Sequence, residues 1–189
     1  MTENEVNQHH VLGLVGSPRN GGNTHILVDE ILRGAEDAGA TVEKIDITRK
    51  KIAPCLACDS CSRTGVCAQK DDMREVLDKM GQSDVWVFGT PVYWWGPTAQ
   101  FKAFIDRWYG VQKELKEQRH KRIILAIPMG DTDERTARHT IGMFEDSLDW
   151  LENKAFATIL APGVDERGEA KERKEILTRA YQAGKDAVM

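Results

Sequence analysis

A parallel, doubly wound five-stranded α/β sheet, with helices on both faces, is the fold that this sequence predicts. Short apolar segments rich in β-branched residues alternate with amphipathic segments of helical period along the 189-residue chain. Such alternation is typical of βαβ units, which build parallel sheets. No internal repeat, low-complexity stretch or linker divides the sequence. We therefore expect a single domain over residues 11–189.

The first elements are read from residues 1–47. Residues 1–10 are polar and are predicted as an N-terminal tail. Residues 11–16 (VLGLVG) are a continuous apolar run that ends in Gly-Ser-Pro, which favours a buried strand. Residues 23–38 carry apolar side chains at helical spacing and are followed by Gly39, a helix stop signal. Residues 41–47 (TVEKIDI) alternate in polarity, as in a more exposed strand.

The middle of the chain continues the alternation. Residues 71–80 have helical period and begin with two aspartates, which the dipole at a helix N-terminus favours. Residues 85–90 (VWVFGT) form a second apolar run and are predicted as a buried strand. Residues 98–110 return to helical period through large apolar side chains.

The C-terminal part supplies the last two strands and helices. Residues 122–130 (RIILAIPMG) are the most apolar strand candidate of the chain. Residues 137–152 show helical spacing, and residues 157–164 (ATILAPGV) are predicted as the fifth strand. A charged helix over residues 169–187 closes the domain.

Composition argues against several classes of protein. With 26 basic and 30 acidic residues the net charge is −4, and no basic run with interleaved aromatics suggests nucleic-acid binding. No apolar stretch has the length of a membrane span, and the polar N-terminus does not resemble a signal peptide. We therefore expect a cytoplasmic protein, in which clustered cysteines bind metal or do redox chemistry more often than they form disulfides.

The loop after the first strand, GSPRNGGNT (16–24), has the composition of an anion site. It leads from a strand into a helix, where hydroxyl side chains and free backbone N–H groups bind phosphate. Arg19 adds a forked guanidinium donor. The segment lacks both the Walker lysine and the G-x-G-x-x-G dinucleotide pattern, so a terminal monophosphate suits it better. The alternative is a plain helix cap.

The loop after the third strand is rich in aromatics. Tyr93, Trp94 and Trp95 lie in a turn bounded by Pro91 and Pro97. Three consecutive bulky aromatics in a surface turn indicate contact with something flat or with another subunit. Packing beneath the following helix is the alternative.

All four cysteines lie in one segment, with the spacing C-x2-C-x2-C-x5-C at Cys55, Cys58, Cys61 and Cys67. This compact spacing is typical of an iron–sulfur cluster ligated from a single segment. Zinc sites usually take two pairs of ligands that are separated by a longer stretch. A disulfide relay and a loop of reduced thiols without metal also remain open.

Three motifs together resemble the NADPH-dependent FMN reductase family, and more narrowly its iron–sulfur flavoproteins, which have the flavodoxin-like fold. They are GSPR-x-x-GNT, then the cysteine run followed by Asp71-Asp72-Met73, then GTPVYW…TAQFKAFIDR. The match covers about residues 11–160, with a cysteine-rich insertion loop at 54–70.

The resemblance implies an FMN site built from three loops. Its first loop would hold the FMN phosphate, the second would lie along the isoalloxazine ring, and the third would complete the pocket. The implied residues are Ser17, Arg19, Gly22, Asn23 and Thr24, then Pro91, Val92, Tyr93 and Trp94, and finally Met129, Gly130 and Asp131.

The resemblance also implies an activity. A diffusible nicotinamide, NADPH or NADH, would reduce bound FMN, which would pass electrons to a small-molecule acceptor that the sequence does not identify. No side chain need act as acid or base, so no catalytic residue is predicted. The alternative is an electron carrier that exchanges electrons between a ferredoxin-like protein and FMN through a [4Fe–4S] cluster on the four cysteines. The family generally forms homodimers or homotetramers, which would cover the aromatic loop.

Overall fold

The computed structural model describes residues 8–189, in which five parallel strands form one sheet. The strands lie in the order β2-β1-β3-β4-β5, which is the flavodoxin-like order. The predicted doubly wound five-stranded parallel sheet is confirmed. In chain order the strands are β1 (His10–Val15), β2 (Thr41–Asp46), β3 (Val85–Gly89), β4 (Arg122–Pro128) and β5 (Ala155–Ala161).

Seven α-helices occur in the described part of the chain, and none of them is both long enough and apolar enough to cross a lipid bilayer. Two of them, α2 and α5, are five and six residues long and are not predicted by the sequence pattern. The helices are α1 (Asn23–Asp37), α2 (Ser60–Thr64), α3 (Met73–Gln82), α4 (Ala99–Asp106), α5 (Gln112–Glu117), α6 (Arg138–Trp150) and α7 (Lys174–Asp186).

Several predicted boundaries differ from those of the structure. The helix predicted over 98–110 is α-helical only to Asp106 and continues as a 3-10 helix from Arg107 to Val111. The last strand starts and ends earlier than predicted. It stops at Ala161 because Pro162 has no N–H for the sheet and Gly163 adopts a left-handed φ of +65°.

The exposed strand predicted over 41–47 is the edge strand β2, which pairs with β1 and with no other strand of residues 8–189. At its start Thr41 pairs with His10, so β1 begins one residue before the predicted apolar run. His10 thus lies in the sheet, whereas residues 1–7 of the predicted tail lie outside the described residues.

Each face of the sheet carries its own hydrophobic cluster, because side chains alternate between faces along a strand. In β3, Trp86 and Phe88 pack into a large aromatic cluster with α3, α4 and α6. On the other face Val85 and Val87 pack with aliphatic side chains of α1 and α7. The sheet is therefore covered on both sides, and its loops are left as the accessible edge.

Two glycines allow the backbones of helices α1 and α7 to pack directly against each other. A Cβ built on Gly184 would lie 1.9 Å from the carbonyl oxygen of Ile31. On the facing helix, a Cβ on Gly34 would lie 2.0 Å from the carbonyl oxygen of Tyr181. Neither position can hold a side chain unless one helix moves, so the glycines set the distance between α1 and α7 on this face of the sheet.

We expect Gly184→Ala to lower the free energy of unfolding by about 3 kcal/mol, since overpacking against backbone forces the helix pair apart. Gly142 in α6 is the matched control, because a Cβ there would meet no atom within 4 Å. Gly142→Ala should raise the free energy of unfolding by about 0.5–1 kcal/mol through helix propensity. Urea denaturation measures both. Equal stability of the Gly184→Ala variant and wild type would contradict the close helix contact.

Candidate functional site

A cavity with about 430 Å³ of space, part of it open to solvent, lies where four loops meet at the C-terminal edge of the sheet. The loops follow β1, β3, β4 and β5. Nine of the twelve residues that the resemblance assigns to FMN line it: Ser17, Arg19, Asn23, Thr24, Pro91, Val92, Tyr93, Met129 and Gly130.

The first loop presents the N-terminus of α1 to the cavity. The helix begins after Gly22, and no side chain caps it. The first backbone N–H groups of a helix have no acceptor within the helix, so they remain available to an anion. A Cβ on Gly22 would lie 2.8 Å from the carbonyl oxygen of Arg19, which explains why this tight turn needs glycine although Gly22 does not line the cavity.

Asn23 has a role that the sequence prediction did not anticipate. Its buried side-chain amide donates to the carbonyl oxygens of Val164 (3.1 Å) and Glu166 (2.9 Å). Its side-chain oxygen accepts from the backbone N–H groups of Gly168 and Ala170, both at 3.1 Å. The side chain is therefore fully used by the 164–170 segment, and a ligand can reach only the backbone N–H of Asn23.

Two arginines tie the first loop to the same segment. Arg19 donates from Nη1 to the carbonyl oxygen of Asp165 (2.7 Å), and Arg167 donates to the carbonyl oxygen of Asn20. The Arg19 side chain is exposed at the rim of the cavity, where its other N–H groups can meet an anion.

The second loop folds as a two-residue β-hairpin with tryptophan at both turn positions. Tyr93 and Gly96 exchange backbone hydrogen bonds of 2.8 and 3.0 Å. Trp94 and Trp95 adopt left-handed φ angles of +47° and +61°, which are the positions where hairpins favour Asn-Gly. Bulky residues in this conformation are strained, so the sequence keeps tryptophan there against local preference.

The hairpin separates its aromatic side chains. Tyr93 lines the cavity, whereas Trp94 does not and is 90% exposed. The rigid base of the hairpin explains this arrangement, because Thr140 donates to the carbonyl oxygen of Trp95 (3.1 Å) and the Thr98 N–H donates to the Thr90 hydroxyl (3.1 Å). In this hairpin the cavity is therefore lined by Tyr93 and not by Trp94.

The third loop contributes Met129 and Gly130 but not the predicted Asp131. The Asp131 carboxylate accepts from the Thr136 hydroxyl (2.6 Å) and from the backbone N–H of Asp133 (2.9 Å). These hydrogen bonds favour the ionised form and lower the pKa of Asp131, with the Thr136 hydroxyl as the main cause. Asp131 thus holds the turn that follows β4 and does not line the cavity.

Three lining residues were not predicted: Pro128, Val164 and Asp165. Pro128 ends β4. The other two follow β5, which the sequence pattern extends to residue 164. The available signal was the Pro-Gly pair at 162–163, which marks the strand end and places the next residues at the same sheet edge.

The cysteine segment 54–70 forms a loop whose two ends are joined. Asp72 donates its N–H to the carbonyl oxygen of Lys51 (3.0 Å), and its carboxylate accepts from the Lys51 N–H (2.7 Å). Closer to the loop, the Ala53 N–H donates to the Asp71 carboxylate (3.1 Å), and the Gln69 side-chain amide donates to the Pro54 carbonyl (3.0 Å). These four hydrogen bonds close the base of the loop, and none of them involves a thiol.

Arg107 anchors this base from the helical side, and its side chain is only 3% exposed. It donates to both carboxylate oxygens of Asp71 (2.7 and 3.1 Å), to the Ala53 carbonyl (2.9 Å) and to Cys67 Sγ (3.4 Å). Burial alone would raise the pKa of Asp71, but the hydrogen bonds from Arg107 and from the N–H groups of Ala53 and Met73 outweigh it. The pKa of Asp71 is therefore lowered, and the pair is ionic.

The four thiols themselves are not brought together. Cys55 and Cys58 are exposed, Cys61 and Cys67 are partly buried, and none of them forms a disulfide. Within residues 8–189, no three Cys, His, Asp or Glu side chains are grouped so that they could hold a metal ion. A [4Fe–4S] cluster is held by four cysteine thiolates, and the four unpaired cysteines of this segment supply that set of donors.

Comparison with known proteins identifies relatives of the chain. The family model of NADPH-dependent FMN reductases matches residues 9–157. An iron–sulfur flavoprotein of Archaeoglobus fulgidus is 38% identical over 125 residues, which cover 65% of this chain and 57% of that protein. One from Methanocaldococcus jannaschii is 41% identical over 97 residues, which cover 51% of this chain and 50% of that protein. The chain thus spans little more than half the length of these curated relatives.

Solved structures share the fold. The NAD(P)H:quinone oxidoreductase from Methanothermobacter marburgensis superposes with a TM-score of 0.78 at 22% identity, covering 95% of this chain and 96% of that one. A WrbA-like flavodoxin from Agrobacterium tumefaciens has a TM-score of 0.64 at 17% identity, covering 96% of each chain. These similarities confirm the flavodoxin-like fold.

We expect the double variant Trp94→Asn, Trp95→Gly to be more stable than wild type by about 1–2 kcal/mol, because it removes two strained left-handed tryptophans. Thermal and urea unfolding of the ligand-free protein measure the change. Trp150→Ala is the control, since Trp150 is also largely exposed (65%) but lies in regular helix α6. That variant should stay within about 0.5 kcal/mol of wild type. A double variant no more stable than wild type would show that the turn is unstrained.

Proposed function

Because the chain belongs to the NADPH-dependent FMN reductase family, we propose that it is an FMN-dependent NAD(P)H oxidoreductase. FMN would occupy the cavity at the C-terminal edge of the sheet, and electrons from a nicotinamide would pass through it to a small-molecule acceptor. The observation that carries this proposal is the cavity itself, which is lined both by the first residues of α1, a helix without a side-chain cap, and by the loop of Pro91, Val92 and Tyr93.

The phosphate end of the site is argued from its donors. The first N–H groups of α1 have no side-chain cap, and the buried side chains of Ser17 and Thr24 line the same cavity. Arg19 supplies a positive charge at the rim of the cavity. Helix N-termini with hydroxyl and guanidinium donors are suited to a phosphate monoester. Asn23 contributes by its backbone N–H and by holding the loop in place.

The ring end of the site is argued from its apolar surface. Pro91, Val92 and Tyr93 line the cavity from the loop after β3, and Met129 and Gly130 line it from the loop after β4. The backbone of the loop after β3 is fixed, since the Val92 N–H donates to the Pro128 carbonyl (3.2 Å). Such a surface excludes water and orients a planar ring system, and bound FMN supplies the electron-transfer chemistry.

The exposed tryptophans of the hairpin support an oligomer as part of this proposal. Trp94 and Trp95 expose large apolar rings next to the cavity-lining Tyr93. Exposed aromatic surface of this kind marks a contact with another protein surface. A homodimer or homotetramer that covers the hairpin is the assembly that the family resemblance implies.

Flavin titration tests the proposal. We expect the ligand-free protein to bind FMN, and Thr24→Val to weaken FMN binding about tenfold, since the lost hydroxyl donates to a charged phosphate. Riboflavin, which lacks the phosphate, is the internal control, and its affinity should not change. Added NADPH or NADH should then bleach the flavin absorbance anaerobically. A flavin that stays oxidised with both nicotinamides would refute the activity.

A second candidate is an iron–sulfur flavoprotein that exchanges electrons with a ferredoxin-like protein. The names of the curated relatives and the exposed position of Cys55 and Cys58 favour it. Anaerobic reconstitution with iron and sulfide tests this candidate, and a chain left without stoichiometric iron would contradict it. Four iron atoms per chain, lost in Cys58→Ser, would favour the second candidate.

A further inference from the structure

We propose that Asp165 is a further cofactor-binding residue, whose carboxylate accepts hydrogen bonds from the ribityl hydroxyl groups of FMN. This inference rests on the proposed FMN site. Asp165 follows β5, lines the cavity and belongs to none of the three loops that the family motifs identify.

The backbone of Asp165 is held from both sides. Its N–H donates to the Glu169 carboxylate (2.9 Å), and its carbonyl oxygen accepts from Arg19 (2.7 Å). The preceding residue is fixed as well, because the Val164 N–H donates to the Met129 carbonyl (2.9 Å). Although the side chain is exposed, its starting point at the cavity is therefore fixed.

The carboxylate of Asp165 is not used by the protein. Within the described residues 8–189 no group donates a hydrogen bond to it and no cation pairs with it; Arg19 contacts only its backbone carbonyl. Gly130 gives the carboxylate its space, since a Cβ at Gly130 would lie 3.1 Å from Asp165 Oδ1. A larger residue at 130 would force the carboxylate to shift.

A carboxylate can bind only those parts of FMN that donate hydrogen bonds. An ionised carboxylate only accepts hydrogen bonds, whereas the phosphate group carries negative charge and offers acceptors. FMN offers donors at the ribityl hydroxyls and at the N3–H of the ring. Arg19 ties Asp165 to the phosphate loop, whereas Pro91, Val92 and Tyr93 belong to the loop that would lie along the ring. The ribityl chain is the donor-bearing part next to the phosphate.

A ligand series separates these parts of the cofactor. Dissociation constants of FMN, riboflavin and lumiflavin, whose ring carries no ribityl chain, are measured by flavin fluorescence for wild type and Asp165→Ala. We expect FMN and riboflavin both to bind about tenfold more weakly to Asp165→Ala, because each loses a hydrogen bond to a charged group. The affinity for lumiflavin should not change. Asp165→Asn, which keeps one acceptor oxygen, should lose less.

Glu166→Ala is the matched control, because Glu166 is the neighbouring carboxylate and does not line the cavity. It should bind all three flavins as wild type does, and both alanine variants should unfold at the wild-type temperature. Equal weakening of lumiflavin would place Asp165 at the ring. Tighter binding of FMN to Asp165→Ala, with an unchanged affinity for riboflavin, would show that Asp165 repels the phosphate. An unchanged affinity for all three flavins would show that Asp165 does not contact the ligand. Each of these results overturns the proposal. If the wild-type protein binds none of the three flavins, the proposed function itself is refuted.

Discussion

The side chain of Asn23 joins the two parts of the chain on which the site depends. Its amide has two donors and one oxygen with two lone pairs, and all four positions are used by backbone groups of the 164–170 segment. Two of these hydrogen bonds are buried and two are partly buried, so a side chain without this set of donors and acceptors would leave buried backbone groups without partners. The single contact fixes the start of α1 against the loop after β5. It thereby sets the distance between the predicted phosphate donors and Asp165.

The sequence predicts the sheet and the position of the site for the same physical reason. Strands of a parallel sheet are covered on both faces, so they appear as continuous apolar runs, as at 11–16 and 85–90. Parallel strands also place all of their following loops at one edge. Polar and aromatic residues that follow different strands, such as Ser17 and Tyr93, therefore line one cavity although they are far apart in sequence.

The remaining features depend on contacts that no local pattern contains. Asn23 reads as a phosphate ligand or a helix cap, and its use becomes visible only with residues 141 to 147 positions later. The hairpin at Trp94 and Trp95 opposes the turn preferences by which hairpins are predicted. The pair of Arg107 and Asp71 spans 36 positions, and from the sequence Arg107 reads only as a charge on a solvated helix face.

The closed base of the cysteine loop has a consequence for how such proteins diversify. Hydrogen bonds between Lys51 and Asp72 join the two ends of the loop, and the ion pair of Asp71 with Arg107 holds these ends against the rest of the domain. The length and sequence of residues 55–66 can therefore change while the sheet and cavity keep their geometry, whereas Cys67 is tied to the base through Arg107. The scaffold treats residues 55–66 as an interchangeable module.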